Sequence, residues 1–118
     1  MRIGELATRS GVSVRALRYY EEQHLLAPER SPSGQRRYPD AALDRVQWIQ
    51  QLYAAGLPSK KIVELLPCLD TGISTSATLA LLKAERERIH TQMAGLVKMR
   101  DKLDTLIAVA EQTAPRST

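Results

Sequence analysis

The chain has 118 residues, 43% hydrophobic and 25% charged, with a formal charge of +4 and one cysteine. That length gives one domain, or a small domain with an extension, and small domains often borrow stability from a partner chain. One thiol excludes an intramolecular disulfide framework, no apolar run approaches a membrane span, and no signal pattern opens the chain. The expectation is a cytoplasmic protein with a polyanionic partner and no membrane.

Ile3, Leu6 and Ala7 stand at i, i+3 and i+4, which predicts a short amphipathic helix to Arg9. Gly4 weakens that helix, so packing must hold it. Gly11 offers the positive φ of a sharp turn. Ser13 is a good N-cap for a second helix from Val14 to about Gln23, with Val14, Leu17 and Glu21 on one face. Leu25 to Pro39 is rich in proline, serine and glycine around a basic run; it predicts a β-hairpin wing turning at Pro32-Ser33-Gly34. Asp40 is placed to cap a third helix running to Ala55, with Leu43, Val46, Ile49 and Leu52 or Tyr53 inward and Gly56 ending it. Pro58 fits the first turn of a fourth helix, whose Ile62, Leu65 and Leu66 face inward and which Pro67 stops.

After a polar turn over Asp70 to Thr75, residues 76–111 contain no proline and one glycine. Leu79, Leu82, Arg86, Ile89, Met93, Leu96, Arg100, Leu103, Ile107 and Ala110 keep a 3,4 spacing along a helix of roughly 50 Å. One apolar stripe of that length has too little of its own chain to pack on, which predicts a dimerising coiled coil. Its dimerisation residues are Leu79, Leu82, Ile89, Met93, Leu96, Leu103 and Ile107. A helix folded back on the domain is the alternative. Arg86 and Arg100 on the seam must snorkel or pair with Glu85, Glu87 or Asp104. The fold expected is mainly α: a winged helix-turn-helix over 1–70, a dimerisation helix over 76–112 and a tail over 113–118.

Basic and aromatic residues are concentrated near the start. Three of the five aromatics and six of the twelve arginines lie between Arg9 and Tyr38, and all five lysines follow residue 59. Arginine suits bidentate phosphate and guanine contacts. In a helix-turn-helix the second helix enters the major groove with its N-terminal residues at base edges. Arg15 is therefore the candidate base reader, with Arg18 and Tyr19 directed at phosphates. Tyr20 has a hydroxyl for phosphate and a ring to pack under the wing. On the wing, Arg36 and Arg37 are candidate phosphate contacts, with Tyr38 beside them. Lys60, with Lys61, adds charge at the start of the fourth helix.

Ile3-Gly4-Glu5-Leu6-Ala7, Ser10-Gly11-Val12-Ser13, Leu17-Arg18-Tyr19-Tyr20-Glu21, Leu25-Leu26, Pro28-x-Arg30, Gly34-x-Arg36-Arg37-Tyr38 and Ala55-Gly56 together resemble the MerR family of bacterial transcription regulators. The resemblance covers Met1 to about Leu66 in motif, and the long helix in architecture. It departs at His24, where the family usually has glycine. It implies a homodimer on an antiparallel coiled coil, each subunit presenting a winged helix-turn-helix to half of a pseudo-palindromic site on double-stranded DNA. It further implies distortion of an overlong promoter spacer for RNA polymerase. The DNA-contact positions it carries over are Arg15, Arg18, Tyr19, Arg36, Arg37 and Tyr38.

Cys68 is the sole candidate sensor, placed just after Pro67 at the hinge before the long helix; a small buried apolar residue is the other reading. No metal site and no cofactor are expected, because His24 and His90 are isolated and no second cysteine exists. The sequence leaves a small-molecule inducer unknown. Two rivals are a DNA-bending, excisionase-like protein, which the long helix disfavours, and a thiol enzyme, for which Cys68 has no partner at a recognisable spacing.

Overall fold

A computed structural model of the chain describes residues 1–115. The chain divides into two compact units, Met1–Thr78 and a second beginning at Leu79.

The first unit holds α1 (Ile3–Ser10), α2 (Val14–Glu22), β1 (Glu29–Arg30), β2 (Arg36–Arg37), α3 (Ala41–Ala54) and α4 (Ser59–Thr71). Helix α1 packs on α2 and α3, and α3 on α4. Their shared core contains Leu6, Leu17, Leu25, Tyr38, Val46, Ile49 and Ile62, all essentially inaccessible. Burying each of the aliphatic side chains contributes about 1.5–3 kcal/mol, which offsets the entropy of ordering short helices. Gly11 adopts φ 74° and its N–H donates to the Ala7 carbonyl at 2.9 Å, ending α1 with a left-handed cap. Ser13 Oγ accepts from the Ala16 N–H at 3.1 Å and starts α2.

Two helices end in the same way. At the end of α2, His24 N–H donates to the Glu21 carbonyl and Leu25 N–H to that of Tyr20. At the end of α3, Gly56 N–H donates to the Tyr53 carbonyl and Leu57 N–H to that of Leu52. Both are Schellman motifs with a buried leucine just beyond the left-handed residue. The left-handed residue is glycine in one, at φ 86°, and histidine in the other, at φ 62°.

The structure corrects two helix boundaries. Asp40 does not cap α3: it has helical dihedrals and no side-chain cap bond. The helix is entered through Ala42 N–H to the Pro39 carbonyl and Leu43 N–H to that of Asp40, a tight opening turn. Nor does Pro67 stop α4, which runs through it to Thr71 and ends at the left-handed Gly72. The proline has no N–H to give the carbonyl of Val63, an exposed residue. Cys68 consequently lies inside the last turns of α4. It is half-buried, with Sγ 3.7 Å from Ser74 Oγ.

Helix α5 (Ser76–Thr113) has 38 residues, a span of about 57 Å. None of its residues is buried. Among the described residues no helix is long and apolar enough to cross a membrane. Of the expected tail, Ala114 follows the helix as a bend, and residues 116–118 lie outside the described residues.

Candidate nucleic-acid interface

The 3.6-residue turn sorts α2 into two faces. Leu17 and Tyr20 are buried, while Arg15, Arg18, Tyr19 and Glu22 are exposed at i, i+3, i+4 and i+7. The turn before α2 leaves Arg15 in the first turn, next to the helix's unpaired N–H groups. The predicted Arg15, Arg18 and Tyr19 are thus together on one solvent face. Glu22 shares that face.

The wing is a two-stranded antiparallel ribbon with Glu29 opposite Arg37 and Arg30 opposite Arg36. Its turn falls at the predicted residues. Gly34 at φ 84° allows its N–H to reach the Ser31 carbonyl at 2.8 Å, and Ser31 N–H reaches the Gln35 carbonyl at 2.8 Å. Arg30 donates to the Gly34 carbonyl at 3.1 Å and so braces the turn from within. Arg36 and Arg37 are exposed. Among the described residues Arg15, Arg18 and Arg37 form no ion pair, whereas Arg36 meets Glu21 at 3.0 Å.

Two predicted contacts, Tyr20 and Tyr38, are buried. Tyr38 is 1% exposed, its N–H donates to the Met1 carbonyl at 2.7 Å, and its hydroxyl donates to Glu21 Oε1. Burial, reinforced by the Glu21 hydrogen bond, pushes its phenol above the ordinary value and holds it neutral. Tyr20 is 8% exposed; its ring stacks on Tyr53 of α3, centroids 5.8 Å apart. Burial and the neighbouring Tyr53 raise its phenol too. Adjacent tyrosines on a helix point about 100° apart, so Tyr19 and Tyr20 were bound to divide between solvent and core. The spacing of Tyr20 from Leu17 is the signal that separates them.

Lys60 is exposed in the first turn of α4. Two residues outside the predicted set enter the site. Arg2 donates to Gln35 Oε1 on the wing at 3.0 Å, and Glu21 receives both Arg36 and Tyr38. Neither shows in the linear pattern, because each acts across more than a dozen residues.

In the second unit, the predicted dimerisation residues Leu79, Leu82, Met93, Leu96, Leu103 and Ile107 are exposed and Ile89 is half-buried. Met99 and Leu106 are exposed as well, forming with Leu96, Leu103 and Ala110 a second 3,4 stripe beside the first. Arg100 pairs with Asp101 at 3.4 Å. Among the described residues no group of three or more His, Cys, Asp or Glu is placed to hold a metal ion.

Residues 1–68 match the family model "MerR HTH family regulatory protein", and residues 43–106 match "MerR, DNA binding". The chain belongs to the MerR family. It is 35% identical over 111 residues to the nodulation protein NolA of Bradyrhizobium elkanii, covering 93% of this chain and 48% of that one. The chain spans about half the length, or less, of the NolA relatives it matches. Among solved structures it resembles the regulator PbrR691 of Ralstonia metallidurans CH34, determined in complex with lead(II), at 28% identity and TM-score 0.82, covering 100% of this chain and 91% of that one. It also resembles HiNmlR, a family regulator lacking the sensor domain and bound to promoter DNA, at 27% identity and TM-score 0.60, covering 92% of this chain and 83% of that one.

Proposed function

We propose that this MerR-family chain is a sequence-specific transcription regulator. It acts as a homodimer on a pseudo-palindromic promoter site and distorts the spacer for RNA polymerase, in the cytoplasm. The observation that carries this reading is the shared exposure of Arg15, Arg18 and Tyr19 on α2 with Arg36 and Arg37 on the wing, over a core that buries Tyr20 and Tyr38. The likeness to HiNmlR, itself bound to promoter DNA, supports the same partner. Arg15 reads a base edge; Arg18, Tyr19 and Arg37 take phosphates, joined by Lys60. The two exposed stripes of α5 pair the readers. Cys68, half-buried beside Ser74, is the candidate thiol for an oxidant or electrophile.

The test is site selection from random duplexes, followed by binding as a function of salt. Binding should weaken steeply, by about 0.9 in log K per log salt for each phosphate contact. Arg15→Ala should flatten preference at one base position in each half-site, at a cost of about 1–3 kcal/mol on the preferred sequence alone. Arg37→Ala should weaken binding to all sequences alike. A flat salt response, or identical behaviour of the two variants, refutes this division of roles.

A further inference from the structure

Glu21 is an acidic group beside the basic face of α2. It lies in the last turn of α2, three residues from Arg18, with its side chain 14% exposed. Both of its carboxylate oxygens are taken by the strand leaving the wing: Oε2 accepts from Arg36 Nη1 at 3.0 Å, and Oε1 accepts from the Tyr38 hydroxyl. Arg36 is half exposed, and ion pairs so open to water add little to folding stability. A negative charge here also opposes a polyanion. What the group does accomplish is geometric. It ties β2 to the recognition helix and withdraws one guanidinium from the pool that meets phosphate, leaving Arg37 as the free arginine of that strand.

Resting on the DNA-binding reading above, we propose that Glu21 is a specificity-determining residue that never touches DNA. It fixes the distance between the two reading elements and neutralises Arg36. Non-specific affinity is thereby held down, and only a duplex whose grooves match the fixed spacing is bound well. Specific binding needs α2 and the wing placed together, whereas non-specific binding needs only positive charge.

The test uses the full-length chain with Glu21→Gln, which keeps an acceptor for the buried Tyr38 hydroxyl while removing the charge. Affinity is measured over a salt series for a duplex selected by the wild type and for a random-sequence duplex. Tyr38→Phe serves as the control, because it removes one bond to Glu21 and leaves the charge. With Glu21→Gln, affinity for the random duplex should rise roughly three- to eightfold at about 0.1 M salt, and its salt slope should steepen by about 0.9, one added phosphate contact. Affinity for the selected duplex should stay level or fall, so the ratio between them drops. Tyr38→Phe should leave the slope unchanged. Equal gains on both duplexes would reduce Glu21 to a charge effect, and equal losses with an unchanged slope to a structural strut; either overturns the proposal. So does a steepened slope in Tyr38→Phe. A wild-type chain that selects no site overturns the DNA-binding reading itself, a separate outcome.

Discussion

The two units of this chain use apolar residues in opposite ways. The first closes thirteen hydrophobic side chains inside a small set of short helices, whereas α5 carries twelve large ones and buries none. Single exposed leucines are ordinary on a protein surface. Two adjacent stripes along a 38-residue helix are not, since contiguous apolar patches of that extent mark interaction surfaces. The difference teaches where each unit gets its stability: one from its own chain, the other from whatever covers its stripes. On our reading the cover is a second copy.

The strongest way to break that comparison is to charge two leucines that both stripes share. Leu96→Asp combined with Leu103→Asp should convert dimers to monomers in sedimentation velocity. Operator affinity should fall about 10²- to 10⁴-fold, because two half-site contacts would no longer be linked. The first unit should still melt cooperatively. Leu17→Ala sharpens the same contrast from the other side. It should cost the first unit about 2–5 kcal/mol by leaving a cavity in a site that is 0% exposed, yet leave the oligomeric state unchanged. Unaltered mass in the double variant, or dissociation in Leu17→Ala, would mean the units are not independent in this sense.

A smaller effect is expected inside the first unit at Tyr38. Burial and the Glu21 bond raise its folded pKa above the ordinary phenol value near 10. A raised folded pKa means that the stabilisation is full below about pH 10 and is lost as pH climbs above it, because the unfolded chain ionises first. Tyr20 shifts in the same direction. Tyr38→Phe should therefore cost about 1–2 kcal/mol near neutral pH, the bond to a charged acceptor. It should also make the alkaline decline shallower, with Tyr20 carrying what remains. Urea midpoints between about pH 8 and pH 11 measure both. An alkaline limb as steep as the wild type's would exclude Tyr38 as its source.

Most of the fold was legible because helix signals are local: the Ser13 cap, Gly11, Gly56 and the turn before Gly34 all act within a few residues. The two misread boundaries depended on context. Pro67 lies inside a helix that continues past it to Gly72, and the turn at Pro39 opens α3 without a side-chain cap from Asp40. The site was less legible. Arg15, Arg18, Tyr19, Arg36 and Arg37 could be picked out by type and position, and all are exposed. Tyr38 could not be told from them, since its place in the core is set by Met1 and Glu21, 37 and 17 residues away. Glu21 was read as one member of a helix face; its partners lie beyond the wing turn.

The smallest expected effects come from the two Schellman motifs, which share bonding pattern and buried leucine and differ in one residue. A side chain in the left-handed region costs about 1 kcal/mol, less whatever it saves in unfolded-chain entropy. His24 is exposed and its side chain has no hydrogen bond among the described residues. His24→Gly should thus stabilise the first unit by about 0.5–1 kcal/mol, while Gly56→Ala should destabilise it by about the same or more. Open space surrounds Gly56, so an added methyl meets no neighbour and the loss reports backbone strain alone. Opposite shifts in urea midpoint at the two sites would assign the cost to φ. Shifts of the same sign would mean that the histidine side chain supplies an interaction at the end of the recognition helix that outweighs its strained backbone.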